Sequence, residues 1–258
     1  MIELLSLVIG SVSLTRFVLF PNEMNDVQKV IISNSFPFYN NLSPLNKRYF
    51  EHRVLKFIKY HNFIGREGIV ITETIKLLIA STAVMLTFGM RRYLFSQFEN
   101  IIIYPKDYLS QITKRKHKGE TNPRYGAIVF SWNNFLEGIK VEDDNLNLGL
   151  HELTHALHFN FLKNKSFTAI VFLEHFNTLL ERLKDRKLQR KIVASGYLRQ
   201  YGFRNKYEFL SVLVEHFFET PKEFNEKLPE IYKMVKQMLN LDTLKISSEI
   251  ILQKKLNL

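Results

Sequence analysis

His151-Glu152-Leu153-Thr154-His155 has the form H-E-x-x-H, and its reading decides the fold. On a helix, residues four apart stand one turn apart on the same face, so two imidazoles at this spacing can share one metal ion. Zn²⁺ accepts imidazole nitrogens, and a glutamate next to the first of them stands where it can take a proton from water at the metal. Leu146, Leu148, Leu150, Leu153, Ala156 and Leu157 make the segment apolar nearly all round, which is the pattern of a buried helix. Two histidines and a glutamate inside such a helix need partners, and a metal is the simplest one. Asp143-Asp144-Asn145 offers N-cap residues just before Leu146.

A catalytic zinc site uses three protein ligands and keeps a fourth position open. His158 follows His155 by three residues but lies two turns from His151, so it reads as a packing or supporting residue. Positions 158 and 161 are His and Phe, which excludes the longer H-E-x-x-H-x-x-G-x-x-H pattern. An acidic residue on a later helix is then expected as third ligand. The segment Tyr201 to Phe218 supplies two: Glu208, at the third position after an Asn205 N-cap, and Glu215, seven residues on along the same face. Leu210, Val212, Leu213 and Val214 make the helix largely buried, and buried carboxylates ask for a charge partner. Glu208 also suits a helix-start carboxylate, and spacing leaves both glutamates open as ligands.

Four stretches resemble the Mlc titration factor A family of zinc peptidases, itself similar to the catalytic domain of anthrax lethal factor. They are Ile102-Ile103-Tyr104-Pro105, Gly126-Ala127-Ile128-Val129-Phe130-Ser131-Trp132, Asn147-Leu148-Gly149-Leu150 running into the motif, and Tyr201 through Phe218. They keep the family's order and near-family spacing, over roughly residues 35 to 240. The resemblance implies His151, His155 and Glu208 as zinc ligands, Glu152 as general base and Tyr201 as hydroxyl donor to the tetrahedral intermediate. Glu215 and Asn147 are expected to support the ligands from behind. The strand Gly126 to Trp132 is expected, by resemblance, to line the cleft, with Val129, Phe130, Ser131 and Trp132 meeting an extended peptide at a free strand edge. The implied fold is a helix-dominated α+β domain of the zincin-like, gluzincin type with a small sheet, and the implied activity is aminopeptidase-like hydrolysis of small peptides. A second reading, from the regulatory enterobacterial members, is a binding protein that sequesters a transcription regulator. An intact Glu152 and a full ligand set favour hydrolysis. Ala156-Leu157-His158 departs from the more acidic run of those members, which leaves partner choice open and the metal site untouched.

The chain has 258 residues, enough for one sizeable domain over residues 21 to 258 plus an apolar segment over residues 1 to 20. It has no cysteine, which excludes disulfides and thiolate metal or redox sites. Its net charge of +11 gathers in two basic runs, residues 114–118 and 184–191. Neither accompanies a nucleic-acid-binding motif, so solvated basic faces are expected and no nucleic-acid partner. Residues 4 to 20 are apolar with polar interruptions, near the lower limit for a membrane span. They read as an anchor or as a terminal helix packed on protein, and the spread of Leu4, Leu5, Leu7, Val8, Ile9, Val12 and Leu14 around the helix leans to the anchor. Charge placement would then keep the domain cytoplasmic, anchored to the inner face of the cytoplasmic membrane. Helices are expected over residues 45 to 60, from a Thr72 cap to about residue 86, over about 167 to 192, after Asn205 and after Pro221. Strands are expected at Asn100 to Tyr104 and Gly126 to Trp132, with a long charged exposed loop between them.

Overall fold

Short β-branched runs build a sheet, and the motif helix is laid against it. The computed structural model describes residues 20–110 and 113–246. Among the described residues three helices come first: α1 (Asp26–Ser35), α2 (Pro37–Asn40) and α3 (Pro44–Tyr60). Strand β1 (Asn62–Gly65), helix α4 (Glu73–Leu86) and strand β2 (Asn100–Tyr104) follow. The next stretch holds β3 (Tyr108–Leu109), β4 (Lys116–His117), β5 (Gly119–Asn122) and β6 (Ala127–Ser131). The rest is helical: α5 (Trp132–Lys140), α6 (Leu148–Leu162), α7 (Phe167–Arg182), α8 (Arg186–Ala194), a 3₁₀ turn (Gln200–Arg204), α9 (Lys206–Glu219), α10 (Pro221–Lys227) and α11 (Pro229–Leu239).

The main sheet runs β1-β2-β6-β5, with β1, β2 and β6 parallel and β5 antiparallel to β6. All five residues of β6 are buried, as befits a strand covered on both faces. Ile101 and Ile103 of β2 are buried while their neighbours are half-buried, the alternation of a strand with one face more covered than the other. Thr72 caps α4, its hydroxyl accepting from the Ile75 amide at 3.3 Å, and every residue from Leu77 to Leu86 is buried. The core is aromatic: its largest fully buried side chains include Phe50, Phe57, Phe130, Phe135, Phe161 and Phe217. Each such side chain contributes about 1.5–3 kcal/mol on leaving water. Helices α5 and α6 touch closely because residue 149 is glycine; a Cβ there would sit 2.6 Å from the Phe135 ring.

Several expectations are corrected. The region between β2 and β6 is no plain loop: its β3–β4 ladder pairs Tyr108 with His117, and β5 pairs with β6 from Gly119↔Phe130 to Asn122↔Ala127. Strand β6 therefore has no free edge, being paired with β2 on one side and β5 on the other. Val129, Phe130 and Ser131 cannot receive an added strand, and Trp132 opens α5, stacked on Phe135. The expected helix over 167 to 192 is two helices, because the Asp185 carboxylate accepts from the Lys187 amide at 2.8 Å and starts α8 afresh. The last helix is likewise divided, with Pro229 opening α11. Among the described residues no helix is long and apolar enough to cross a membrane; residues 1–19, which carry nearly all of the expected anchor, lie outside them.

Candidate metal centre

Helix α6 starts at Leu148 rather than Leu146, and its N-cap is Asn147, whose side-chain oxygen accepts from the Leu150 amide at 2.9 Å. Asp144 and Asn145 make the turn before it instead. The Asp144 carboxylate accepts from the Leu146 amide at 2.9 Å, and Asn145 takes a left-handed backbone with φ of 58°. The cap ties three helices together: Asn147 Nδ2 donates to the Gly138 carbonyl of α5 at 2.7 Å and to Glu219 of α9 at 3.0 Å. Its backbone N–H donates to Glu215 at 3.0 Å.

The face of α9 turned to α6 carries Glu208, Ser211 and Glu215, at the i, i+3, i+7 spacing of one helical stripe. Asn205 caps α9, accepting from the amides of Tyr207 and Glu208 at 2.8 and 3.0 Å, and so fixes where Glu208 emerges. His151 Nε2, His155 Nε2 and Glu208 Oε2 form a triangle with sides of 2.9, 3.2 and 3.5 Å. Among the described residues these three make the group of ligand-type side chains able to hold a metal ion. Nitrogen and oxygen ligands at about 2.0–2.1 Å from a tetrahedral zinc stand roughly 3.3 Å apart, so the triangle fits one face of such a site. Glu208 Oε2 is buried and makes no aligned hydrogen bond, so the cluster leaves it a lone pair for a cation.

The partners behind the triangle set its chemistry. His151 Nδ1 donates to Glu215 Oε1 at 2.7 Å, which turns Nε2 toward the centre. Glu215, only 1% exposed, also receives Arg199 Nη2 at 2.5 Å and the Asn147 amide, so its charge is fully partnered. Ser211 Oγ donates to the His151 carbonyl at 3.2 Å and faces His155 Nδ1 at 3.4 Å. Burial works against a charged imidazole at His151, but the adjacent carboxylates of Glu208 and Glu215 overcome it and hold the ring up to about 10, so the centre favours positive charge at Nε2, carried by a proton or by a bound cation. Burial also acts against the charge of Glu208, yet the two histidines hold that carboxyl well below its usual range. Both effects mark a pocket that favours positive charge at its centre.

Glu152 points away from the triangle's supports and toward strand β5. Thr121 Oγ1 lies 3.0 Å from Glu152 Oε2 and 2.8 Å from the Glu152 carbonyl, a donor to either. A Cβ at Gly119 would sit 2.7 Å from Glu152 Cγ and 2.8 Å from Oε1, so this stretch of β5 has room for the carboxylate only because it carries no side chain. Burial pushes the Glu152 carboxyl up, against the pull of His151, His155 and the Thr121 hydroxyl. Tyr201 stands on the 3₁₀ turn with its ring 5.8 Å from that of His151 and 39% exposed. Burial, with Glu208 and Glu152 nearby, raises its phenol, which therefore stays a donor at neutral pH. A cleft of about 660 Å³ opens beside His151 and Glu152, lined among others by Lys118, Gly119, Leu148, Arg199 and Tyr201.

Of the residues expected at the site, His151, Glu152, His155, Tyr201, Glu208, Glu215 and Asn147 are brought together. Val129, Phe130, Ser131 and Trp132 are absent from the cleft lining. His158 is buried among Phe176 and Tyr207 at ring distances of 5.0 and 5.1 Å and takes no part. Sequence reasoning missed Thr121, Gly119, Ser211 and Arg199. Ser211 alone carried a legible signal, the helical stripe it shares with Glu208 and Glu215.

The profile of a family described as glucose-regulated metallo-peptidase M90 matches residues 15–239. An uncharacterized protein of Synechocystis sp. is 23% identical over 248 residues, covering 88% of each chain.

Proposed function

The chain belongs to the glucose-regulated metallopeptidase M90 family, and from that premise we propose that it is a zinc-dependent peptidase. The observation that carries this reading is the triangle of His151, His155 and Glu208 with Glu152 beside it. Zinc, when bound, supplies a Lewis acid that activates water and polarises a scissile carbonyl.

The chain's own residues do the rest. Glu152 takes a proton from the attacking water at its free oxygen Oε1 and delivers it to the leaving amine. Thr121 holds the other oxygen, Oε2, and so sets which lone pair faces the cleft. The Tyr201 hydroxyl donates to the oxyanion that develops on the scissile carbonyl. Glu215, clamped by Arg199 and Asn147, keeps His151 in the tautomer that presents Nε2. Strand β5 is the sheet's terminal strand on this side and lines the cleft at Gly119, so an extended peptide is read as adding to β5 in place of β6. Aminopeptidase-like preference is part of the proposal and rests on the resemblance. A chain that acted only by sequestering a transcription regulator would need neither Glu152 nor the three ligands.

The test is chelation and return. Stripped of metal, the protein should lose hydrolysis of a fluorogenic peptide, and one equivalent of Zn²⁺ should restore it. Hydrolysis that survives complete stripping would contradict the proposal.

A further inference from the structure

The second basic run of the sequence has no part in the metal centre, yet it borders a second concave surface. Helix α8 carries Arg186, Lys187, Arg190 and Lys191 and no carboxylate. The nearby acids are engaged elsewhere: Glu181 with Lys184, and Asp185 and Glu230 with Arg182. Beside α8 lies a groove of about 410 Å³ whose apolar lining is Leu180, Leu183, Ile192, Val193, Phe203 and Phe209. Val193 is 68% and Phe203 48% exposed, while Ile192 and Phe209 are buried at its floor. Arg186, Arg190 and Val193 share one stripe of α8, and Lys206 stands at the groove's other wall. The surface is thus an apolar trough lined by one cation, Lys206, with Arg186 and Arg190 continuing the Val193 stripe of α8 beside it.

We infer that this groove docks an acidic segment of a partner protein, anchored by one or two bulky apolar side chains. Its volume lies in the range of about 300–1,000 Å³ typical of ligand sites. An apolar floor with a charged rim is the anatomy of a protein-docking site, where anchors in pockets supply most of the affinity and rim charges guide approach. A membrane surface fits less well, because most of the apolar residues are recessed and insertion needs them to protrude. A nucleic acid would use the rim and leave the floor uncovered. The wall at Gly202 and Phe203 belongs to the same turn that carries Tyr201 into the cleft.

The test uses the full chain with Glu152→Gln, so that binding is read without turnover and is independent of whether the protein hydrolyses peptides. The probe is a fluorescein-labelled 15-residue synthetic peptide with two leucines one helical turn apart, flanked by Asp and Glu. Anisotropy should show saturable binding that weakens with salt. Val193→Asp should weaken it by about tenfold or more, as should Arg186→Glu with Arg190→Glu, and as should replacing the peptide's leucines by serine. All three positions are exposed, and an unchanged thermal midpoint shows that each variant is folded. The inference is overturned if Val193→Asp binds as the parent does, or if a peptide with Lys in place of Asp and Glu binds equally. It is equally overturned if anionic vesicles or a single-stranded oligonucleotide bind more tightly than the peptide and are released by the same substitutions.

Discussion

Replacing Gly119 by alanine separates the position of Glu152, the proposed base, from the integrity of the candidate metal site. The added Cβ would lie 2.7 Å from Glu152 Cγ and 2.8 Å from both Glu152 Oε1 and Leu148 Cδ1, where ordinary contact begins near 3.4 Å. The shortfall is 3.4 − 2.7 = 0.7 Å at Cγ and 3.4 − 2.8 = 0.6 Å at Oε1. Strand β5 is held along its length by β6 and yields little, so the flexible end of Glu152 must give way. A misplacement of 1 Å at a reacting group can lower the rate about a hundredfold, so a shift of about 0.7 Å predicts roughly a tenfold to fiftyfold fall in kcat. The triangle should survive, because its histidines are held by Glu215 and Ser211 on the opposite side. The assay is steady-state hydrolysis of a fluorogenic peptide, with metal content measured on the same samples. A variant with undiminished kcat, or one whose lost activity matches lost metal, would refute the placement of Glu152 against β5.

Thr121→Val should lower kcat about tenfold to hundredfold with metal content and KM little changed, and Thr121→Ser should restore it, because a hydrogen bond to a charged group is worth about 1.5–3 kcal/mol. Equal activity in Thr121→Val would show that the hydroxyl does not hold the base. Glu208→Ala should reduce zinc content far more than Glu215→Ala, whose loss of a supporting hydrogen bond is expected to weaken metal affinity about 10- to 100-fold; the reverse order in metal analysis would make Glu215 the ligand. Tyr201→Phe should keep zinc and lower kcat with KM nearly constant, the signature of a donor acting in the transition state, whereas a raised KM with unchanged kcat would place Tyr201 in substrate binding.

The residues that were legible are those whose role is local. The H-E-x-x-H spacing puts two imidazoles on one helical face whatever the surroundings, and Asn205 marks the start of α9 by capping chemistry alone. Thr72 did the same for α4. The cap of α6 was misplaced because Asp143, Asp144 and Asn145 are also good N-cap residues; the three-dimensional turn assigns them to the preceding bend and leaves the cap to Asn147, whose side chain answers to α5 and α9 as well. Strand β5 was hidden because Gly119-Glu120-Thr121-Asn122 has no apolar alternation and a single β-branched side chain, Thr121, and its pairing with β6 is a tertiary fact. That concealment carried Thr121 and Gly119 with it, and produced the mistaken free edge on β6. Arg199 was invisible for a related reason: it lies 16 residues before its carboxylate, on a segment with no helical register to relate them.

The most direct test of the account is hydrolysis measured beside zinc content in wild type and Glu152→Gln. In the proposed mechanism Glu152 acts as the base; it is held by Thr121 on β5 and stands outside the triangle of ligand atoms. The expected result is about one zinc per chain in both proteins, with hydrolysis of the fluorogenic peptide in wild type and its near-complete loss in the variant. Full activity in Glu152→Gln, or loss of its zinc along with its activity, would contradict the assignment of the base and with it the proposed peptidase mechanism.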